Sequence, residues 1–247
     1  MHRFFIPPEA IRGEEVFFPP DSARQIAQVL RLRPGQQVAV LDNRGGLWVV
    51  ELATVSAKET RGRILTQSVA EGEPLARVQL YLCLTQREKF EWMLQKCTEI
   101  GAAEFTPVIS SRSLAQDAAD VEHKLPRWNK IVQEAAEQCG RGHIPVIRPA
   151  LRWEPAVHTA VSEAHLSLVL WEQEHQQPLR DALAGLPAGE ARVALFIGPE
   201  GGLSEAEVQF ALVKGARAVT LGKRILRMET AAVVGTALAL YELGEMG

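Results

Sequence analysis

The chain has 247 residues, of which 47% are hydrophobic, 23% charged and 6% aromatic, enough for one or two domains with a true core; this excludes a disordered tail or a disulfide-stapled miniprotein. Lys and Arg number 27 against 30 Asp and Glu, a formal charge of −3, so any nucleic-acid surface must be a local patch and not a global basic field. Cys83, Cys97 and Cys139 lack CxxC spacing and the six histidines form no tight pair, which speaks against a disulfide framework and against a zinc site.

No apolar run reaches the roughly 18–20 residues that a bilayer span needs, and Met1–Pro8 stops too soon for a signal peptide, so a soluble, cytoplasmic protein without a membrane partner is expected. From Asp21 onward a helix is predicted, with Asp21 or Ser22 as N-cap and Ile26, Val29 and Leu30 on one face; Pro34-Gly35 ends it. Strands follow at 38–42, 47–52 and 63–66, with a turn at Asn43–Gly46, the rhythm of a small β-barrel.

The polar segment Glu71-Gly72-Glu73-Pro74 marks a boundary, because strands then alternate with longer helices as in an α/β layer. Two domains are therefore expected, 1–72 and 73–247. Residues 78–84 read as a strand, Thr85 and Glu88 as a capping box, and Met93, Cys97 and Ile100 as the buried side of the helix that follows. Val121, Leu125, Trp128, Val132 and Ala135 make one apolar stripe, best read as core packing. The runs 166–171, 193–197 and 218–221 are aliphatic enough to be strands buried on both faces. Ligands in open α/β sheets bind at the carboxyl ends of strands, so the loops after these three runs are where chemistry belongs.

The loop Ile197-Gly198-Pro199-Glu200-Gly201-Gly202-Leu203-Ser204 precedes a helix with Ser204 and Glu207 in capping-box spacing. Its three glycines admit a ligand close to the backbone. No Lys-Ser/Thr follows them, and the spacing is not GxGxxG, so neither a P-loop nor a dinucleotide fingerprint is present. A ligand held by main-chain groups, such as an adenosine without phosphates, fits. The stretch 221–232 places Lys223, Arg224 and Arg227 at another strand end, with Glu229 and Thr230 available as helix caps.

Four motifs occur in one order: Gln95–Gly101, Ala135–Arg141, Gly198–Ser204 and Leu221–Ala231. With His2-Arg3-Phe4 and Val29-Leu30-Arg31, they resemble the RsmE family of 16S ribosomal RNA (uracil-N3)-methyltransferases, in the SPOUT superfamily, along essentially the whole chain. The resemblance implies an α/β trefoil-knot (SPOUT) methyltransferase domain behind an N-terminal PUA-like β-barrel that docks RNA. It implies S-adenosyl-L-methionine in the knot, bound by Leu170, Ile197, Gly198, Pro199, Glu200, Gly201, Gly202, Leu221, Gly222, Ile225, Leu226, Thr230 and Ala231, with no metal. The substrate implied is 16S rRNA, within the 30S subunit, and the assembly a homodimer.

Uracil N3 carries a proton at neutral pH, so the site must remove it or stabilise the anion. Arg227 is the first candidate for stabilising that anion, with Arg3 and Arg141 as further cationic contacts to base or phosphate, and Glu229 is either proton acceptor or helix cap. Arg3, Arg31, Arg33, Arg87, Lys89, Arg112 and Arg141 are the candidate RNA contacts, each weighed against an ordinary solvated side chain. The competing readings are methylation of a ribose 2′-OH or a guanine, and a non-catalytic ribosome-assembly factor.

Overall fold

A computed structural model describes residues 1–114, 116, 119–187 and 189–246. The chain divides into two compact units, Met1–Glu73 with Gln133–Ile144, and Pro74–Val132 with Pro145–Gly247.

The first unit contains β1 (Arg3–Phe5), β2 (Ile11–Arg12), β3 (Glu15–Phe17), α1 (Pro20–Arg24), β4 (Gln37–Leu41), β5 (Gly46–Val55) and β6 (Thr60–Val69). They form a six-stranded sheet in the order β1-β4-β5-β6-β3-β2. Only the β1–β4 pair is parallel. Alternation along the strands sends Val38 and Val40 of β4 and Trp48, Val50 and Leu52 of β5 to one face, where Phe4, Val16, Phe18 and Ile26 complete a core. Phe5 and Leu41 point the other way and pack with Ala70 and Ala136, so the returning segment 133–144 covers the second face.

The helix predicted from Asp21 differs in two respects. It begins at Pro20 behind Pro19 with no side-chain cap, because proline in the first turn has no N–H to satisfy. After Arg24 it widens into a π-turn over Gln25–Val29, closed by the Leu30 N–H on the Gln25 carbonyl at 2.9 Å. The wider turn rotates Val29 into solvent at 71% exposure while Ile26 stays fully buried.

The second unit adds β7 (Arg77–Cys83), α2 (Arg87–Ile100), β8 (Glu104–Ile109), α3 (Ala119–Glu122), α4 (Leu125–Cys139, whose residues from Gln133 onward belong to the first unit), β9 (Val146–Ile147), β10 (Leu151–Arg152), α5 (Trp153–Glu163), β11 (Leu166–Leu170), α6 (Leu179–Leu183), β12 (Arg192–Ile197), α7 (Glu205–Val213), β13 (Arg217–Val219) and α8 (Met228–Glu242). The sheet is parallel, ordered β10-β8-β7-β12-β11-β13, with β9 also on β8. The three aliphatic runs are its β11, β12 and β13, and β11 is buried throughout. The single stripe predicted over 121–135 is divided between α3 and α4; Val121, Trp128, Val132 and Ala135 are buried.

From edge strand β13 the chain returns to the middle of the sheet, where α8 packs on α2, α6, β7 and β12. The segment after β11 lies beside this return: the Thr220 N–H donates to the Gln177 carbonyl at 2.9 Å, and the Leu179 N–H to the Thr220 carbonyl at 3.1 Å. This is the return path of the α/β trefoil-knot class. Gly235 permits it, because a Cβ there would stand 2.8 Å from Leu170 Cδ1. Cys83 and Cys97 are wholly enclosed, and burial pushes both thiols up to about 12. Among the described residues, no helix is long and apolar enough to cross a membrane, and no group of three or more His, Cys, Asp or Glu is placed to hold a metal.

Candidate active site

Because β11, β12 and β13 are parallel neighbours, their carboxyl ends share one edge, and the three loops leaving them enclose a cleft of about 910 Å³. Leu170, Ile197, Gly198, Pro199, Glu200, Gly201, Gly202, Leu221, Gly222, Ile225, Leu226 and Ala231 all line it, as do Arg227 and Glu229. Thr230 is exposed in the first turn of α8, off the lining.

The 198–204 loop is held from several sides. Ser204 and Glu207 form the expected capping box at the start of α7. The Glu207 carboxylate also accepts from the Ser111 N–H at 2.7 Å and from its hydroxyl at 2.9 Å. Burial alone would raise Glu207, but these donors outweigh it and hold the carboxyl below its ordinary range.

Arg112 Nη1 donates to the Gly201 carbonyl at 2.8 Å. Glu200 accepts from the Thr85 hydroxyl and, at 3.0 Å, from Lys89 Nζ. Burial again pushes upward, and the Thr85 and Lys89 donors prevail, keeping Glu200 low. Thr85 is thus not the predicted capping residue: α2 opens at Arg87 without a side-chain cap, and the Thr85 hydroxyl is engaged by Glu200 instead. Gly202 has φ +70°, a left-handed backbone that favours glycine, and a Cβ there would also displace the Glu172 carboxylate, whose Oε1 would lie 2.5 Å away.

On the opposite wall, α8 starts after Arg227 with no side-chain cap, so neither Glu229 nor Thr230 performs the capping role open to it. Glu229 Oε2 is buried without a hydrogen-bond partner, and so is Trp171 Nε1; both residues line the cleft. Among the described residues, no acceptor engages the main-chain N–H groups of Gly201, Ile225 and Leu226, and no carboxylate engages the exposed Arg227 guanidinium. Free main-chain donors along a cleft of mixed apolar and charged lining suit a nucleoside whose base and sugar are met by backbone, and the two orphaned side-chain atoms belong to residues of the same lining. Sequence reasoning missed Trp171, because a tryptophan at a strand end reads as core.

The candidate RNA cations separate by environment. Arg31 and Arg33 are exposed, Arg31 with φ 54°. Arg3 is exposed and donates to the Gln138 carbonyl at 3.1 Å. Arg87 pairs with Glu91 at 2.9 Å, which also takes Arg127. Arg141 departs from expectation. It is 2% exposed and ion-paired to Glu73, so its cation is sequestered inside the fold and not offered to a phosphate.

Comparison with known proteins agrees along the chain. The RNA methyltransferase PUA domain matches residues 21–65 and the RNA methyltransferase domain residues 71–240. The ribosomal RNA small subunit methyltransferase E of Synechocystis sp. is 34% identical, over 96% of this chain and 76% of its own. That of Bacillus subtilis is 30% identical, over 98% and 97%. The crystal structure of the same enzyme from Neisseria gonorrhoeae, bound to S-adenosyl methionine, superposes with a TM-score of 0.86 at 29% identity, covering 98% of this chain and 97% of that one. A Legionella pneumophila methyltransferase in complex with the cofactor SAM gives 0.82 at 28%, covering 97% and 96%. A family model spanning residues 71–240 and relatives of 30–34% identity matched over 96–98% of this chain show that the chain belongs to the family of ribosomal RNA small subunit methyltransferase E.

Proposed function

We propose that this protein transfers a methyl group from S-adenosyl-L-methionine to N3 of a uridine in 16S rRNA of the small subunit. The observation that carries the reading is the convergence of three strand-end loops, rich in free main-chain donors, on one cleft that also holds Arg227. The 198–202 and 221–226 loops would hold the adenosine part, with Leu170 and Ala231 as walls. Bound there, the sulfonium supplies an electrophilic methyl group.

The protein's own work lies on the nucleophile. Uracil N3 attacks only as its proton leaves, and negative charge then spreads onto the flanking carbonyl oxygens. Arg227, exposed in the cleft without a carboxylate partner, stabilises that charge. Glu229 lines the same cleft, its Oε2 has no hydrogen-bond partner among the described residues, and it takes the proton. Arg3 is a further cation toward base or phosphate.

Residues 1–72 serve as the RNA-docking module and 73–247 as the catalytic one. A base inside a helix must leave its stack to reach a cleft of this kind, while phosphates are gripped elsewhere. Arg31 and Arg33 are exposed cations suited to that grip, beside a shallow depression lined by Met1, His2, Leu32 and Gly35–Gln37. Leu238 and Tyr241 of α8 are exposed and offer an apolar contact for a homodimer in the cytoplasm.

The test is methylation of intact 30S subunits and of naked 16S rRNA, followed by nucleoside digestion, mass spectrometry and base-resolution mapping. N3-methyluridine at one site is the expected product. Ribose methylation or a methylguanosine as sole product would overturn the N3 assignment, and absence of cofactor binding would favour an assembly factor.

A further inference from the structure

We propose that Trp171 is a cofactor-positioning residue whose indole N–H donates to the carboxylate at the amino-acid end of bound S-adenosylmethionine. The inference rests on the proposed function and deepens it, by assigning a side chain in the loop after β11.

Trp171 is fixed by its backbone. Its main-chain N–H donates to the Val219 carbonyl at 3.2 Å, and its own carbonyl accepts from the Glu174 N–H at 3.1 Å, so it is tied to the end of β13. Trp171 is among the residues that line the cleft, and its Nε1 is buried with no hydrogen-bond acceptor among the described residues of the protein. A buried donor left unpaired is costly, and tryptophan can only donate, so the missing partner is an acceptor.

The surroundings narrow the choice. Lys223, Arg224 and Arg227 line the same cleft, and the fifteen-residue α8 opens onto it with no side-chain cap, leaving first-turn N–H groups and the positive end of the helix toward the ligand. Such a wall favours an anion. In a sulfonium nucleoside the purine and ribose oxygens and nitrogens are neutral, and the amino-acid carboxylate is the one anionic group. Glu229 has the opposite polarity and repels a carboxylate, so of the two lining side chains with a buried, unpartnered polar atom only Trp171 can donate to it.

Calorimetry on the full chain with two nucleosides tests the assignment. S-adenosylhomocysteine keeps the amino-acid end and 5′-methylthioadenosine lacks it. Trp171→Phe should weaken S-adenosylhomocysteine about tenfold or more, the scale of a missing hydrogen bond to a charged group, and leave methylthioadenosine within twofold. Independently, with ¹⁵N-labelled indoles, one of the five tryptophan Nε1–H resonances, assigned by its disappearance in Trp171→Phe or Trp171→Tyr, should shift on adding S-adenosylhomocysteine and not on adding methylthioadenosine. Equal weakening of both ligands, no weakening of either, or an indole resonance indifferent to S-adenosylhomocysteine overturns the proposal. Wild-type protein that binds neither nucleoside overturns the proposed function itself, a result separable from the others.

Discussion

Arg112 Nη1 lies 2.8 Å from the carbonyl oxygen of Gly201, so a residue following β8 holds the loop that follows β12 from its outer side. The bond ties this cation to the shape of the cofactor cleft. Arg112→Ala should therefore weaken S-adenosylmethionine severalfold in calorimetry while leaving the salt dependence of RNA binding unchanged, because about 1 kcal/mol is a reasonable scale for one exposed charge-assisted bond. An unchanged cofactor affinity with a shallower salt slope would return Arg112 to the RNA surface.

The neighbouring glycines should answer differently to the same substitution. At Gly202 a Cβ meets Glu172 Oε1 at 2.5 Å on a backbone with φ +70°, so Gly202→Ala should cost about 1–2 kcal/mol of stability. At Gly201 the added atom meets only the Arg112 side chain, at 3.5 Å, and Gly201→Ala should melt close to wild type. Thermal denaturation of the pair distinguishes them, and equal melting temperatures would sink the account of the turn.

Arg227→Ala should leave the cofactor dissociation constant nearly unchanged and lower the turnover number by about 10²–10³, the scale for one charge-stabilising donor. Single-turnover rates alongside calorimetry make the comparison. Parallel declines in both would show that Arg227 holds cofactor rather than substrate.

Glu207 gives a pH dependence with a definite sign. Its four donors, from Ser111 and Ser204, outweigh burial and hold the native carboxyl below its ordinary value of 4.5. A depressed native pKa stabilises the fold fully above about 4.5, and that contribution disappears as pH falls through the native value. Wild type should therefore lose melting temperature on acidification below 4.5 more steeply than Glu207→Gln, as calorimetric scans across that range would reveal.

Exposed and enclosed arginines should also diverge. Arg31→Ala or Arg33→Ala should weaken RNA binding and reduce the slope of log K against log salt by about 0.7–0.9 for each phosphate no longer neutralised, with cofactor titration unchanged. Arg141→Ala should instead unfold more easily, by on the order of 3 kcal/mol, because it strands the Glu73 carboxylate without its partner. Filter binding over a salt series and thermal melts separate the two classes.

The strand ends that carry the site were legible because β11, β12 and β13 lie in largely aliphatic runs followed by loops, glycine-rich after β12 and basic after β13, and a parallel sheet brings such ends together. What supports those loops was not legible. Thr85 and Arg112 reach Glu200 and Gly201 across some ninety to over a hundred residues of chain, and no local pattern encodes such a pairing. The interior position of Arg141 was hidden because arginine is ordinarily a surface residue, and only the fold brings Glu73 to it. The threading of α8 depends on the order of strands in the sheet, which periodicity does not contain; family resemblance supplied it. Val29 lies off its expected face because hydrophobic spacing assumes an α-turn, and Gln25–Val29 is wound wider.

The two buried thiols, Cys83 at the end of β7 and Cys97 in α2, bear on the durability of a protein that handles an alkylating agent. A sulfonium methyl group is an electrophile toward thiolates, and only the deprotonated sulfur is the nucleophile. With Cys83 and Cys97 held near 12, neither carries appreciable negative charge at physiological pH, and neither faces water. Both thiols are thereby poor targets for stray methyl transfer, and the same enclosure limits their oxidation.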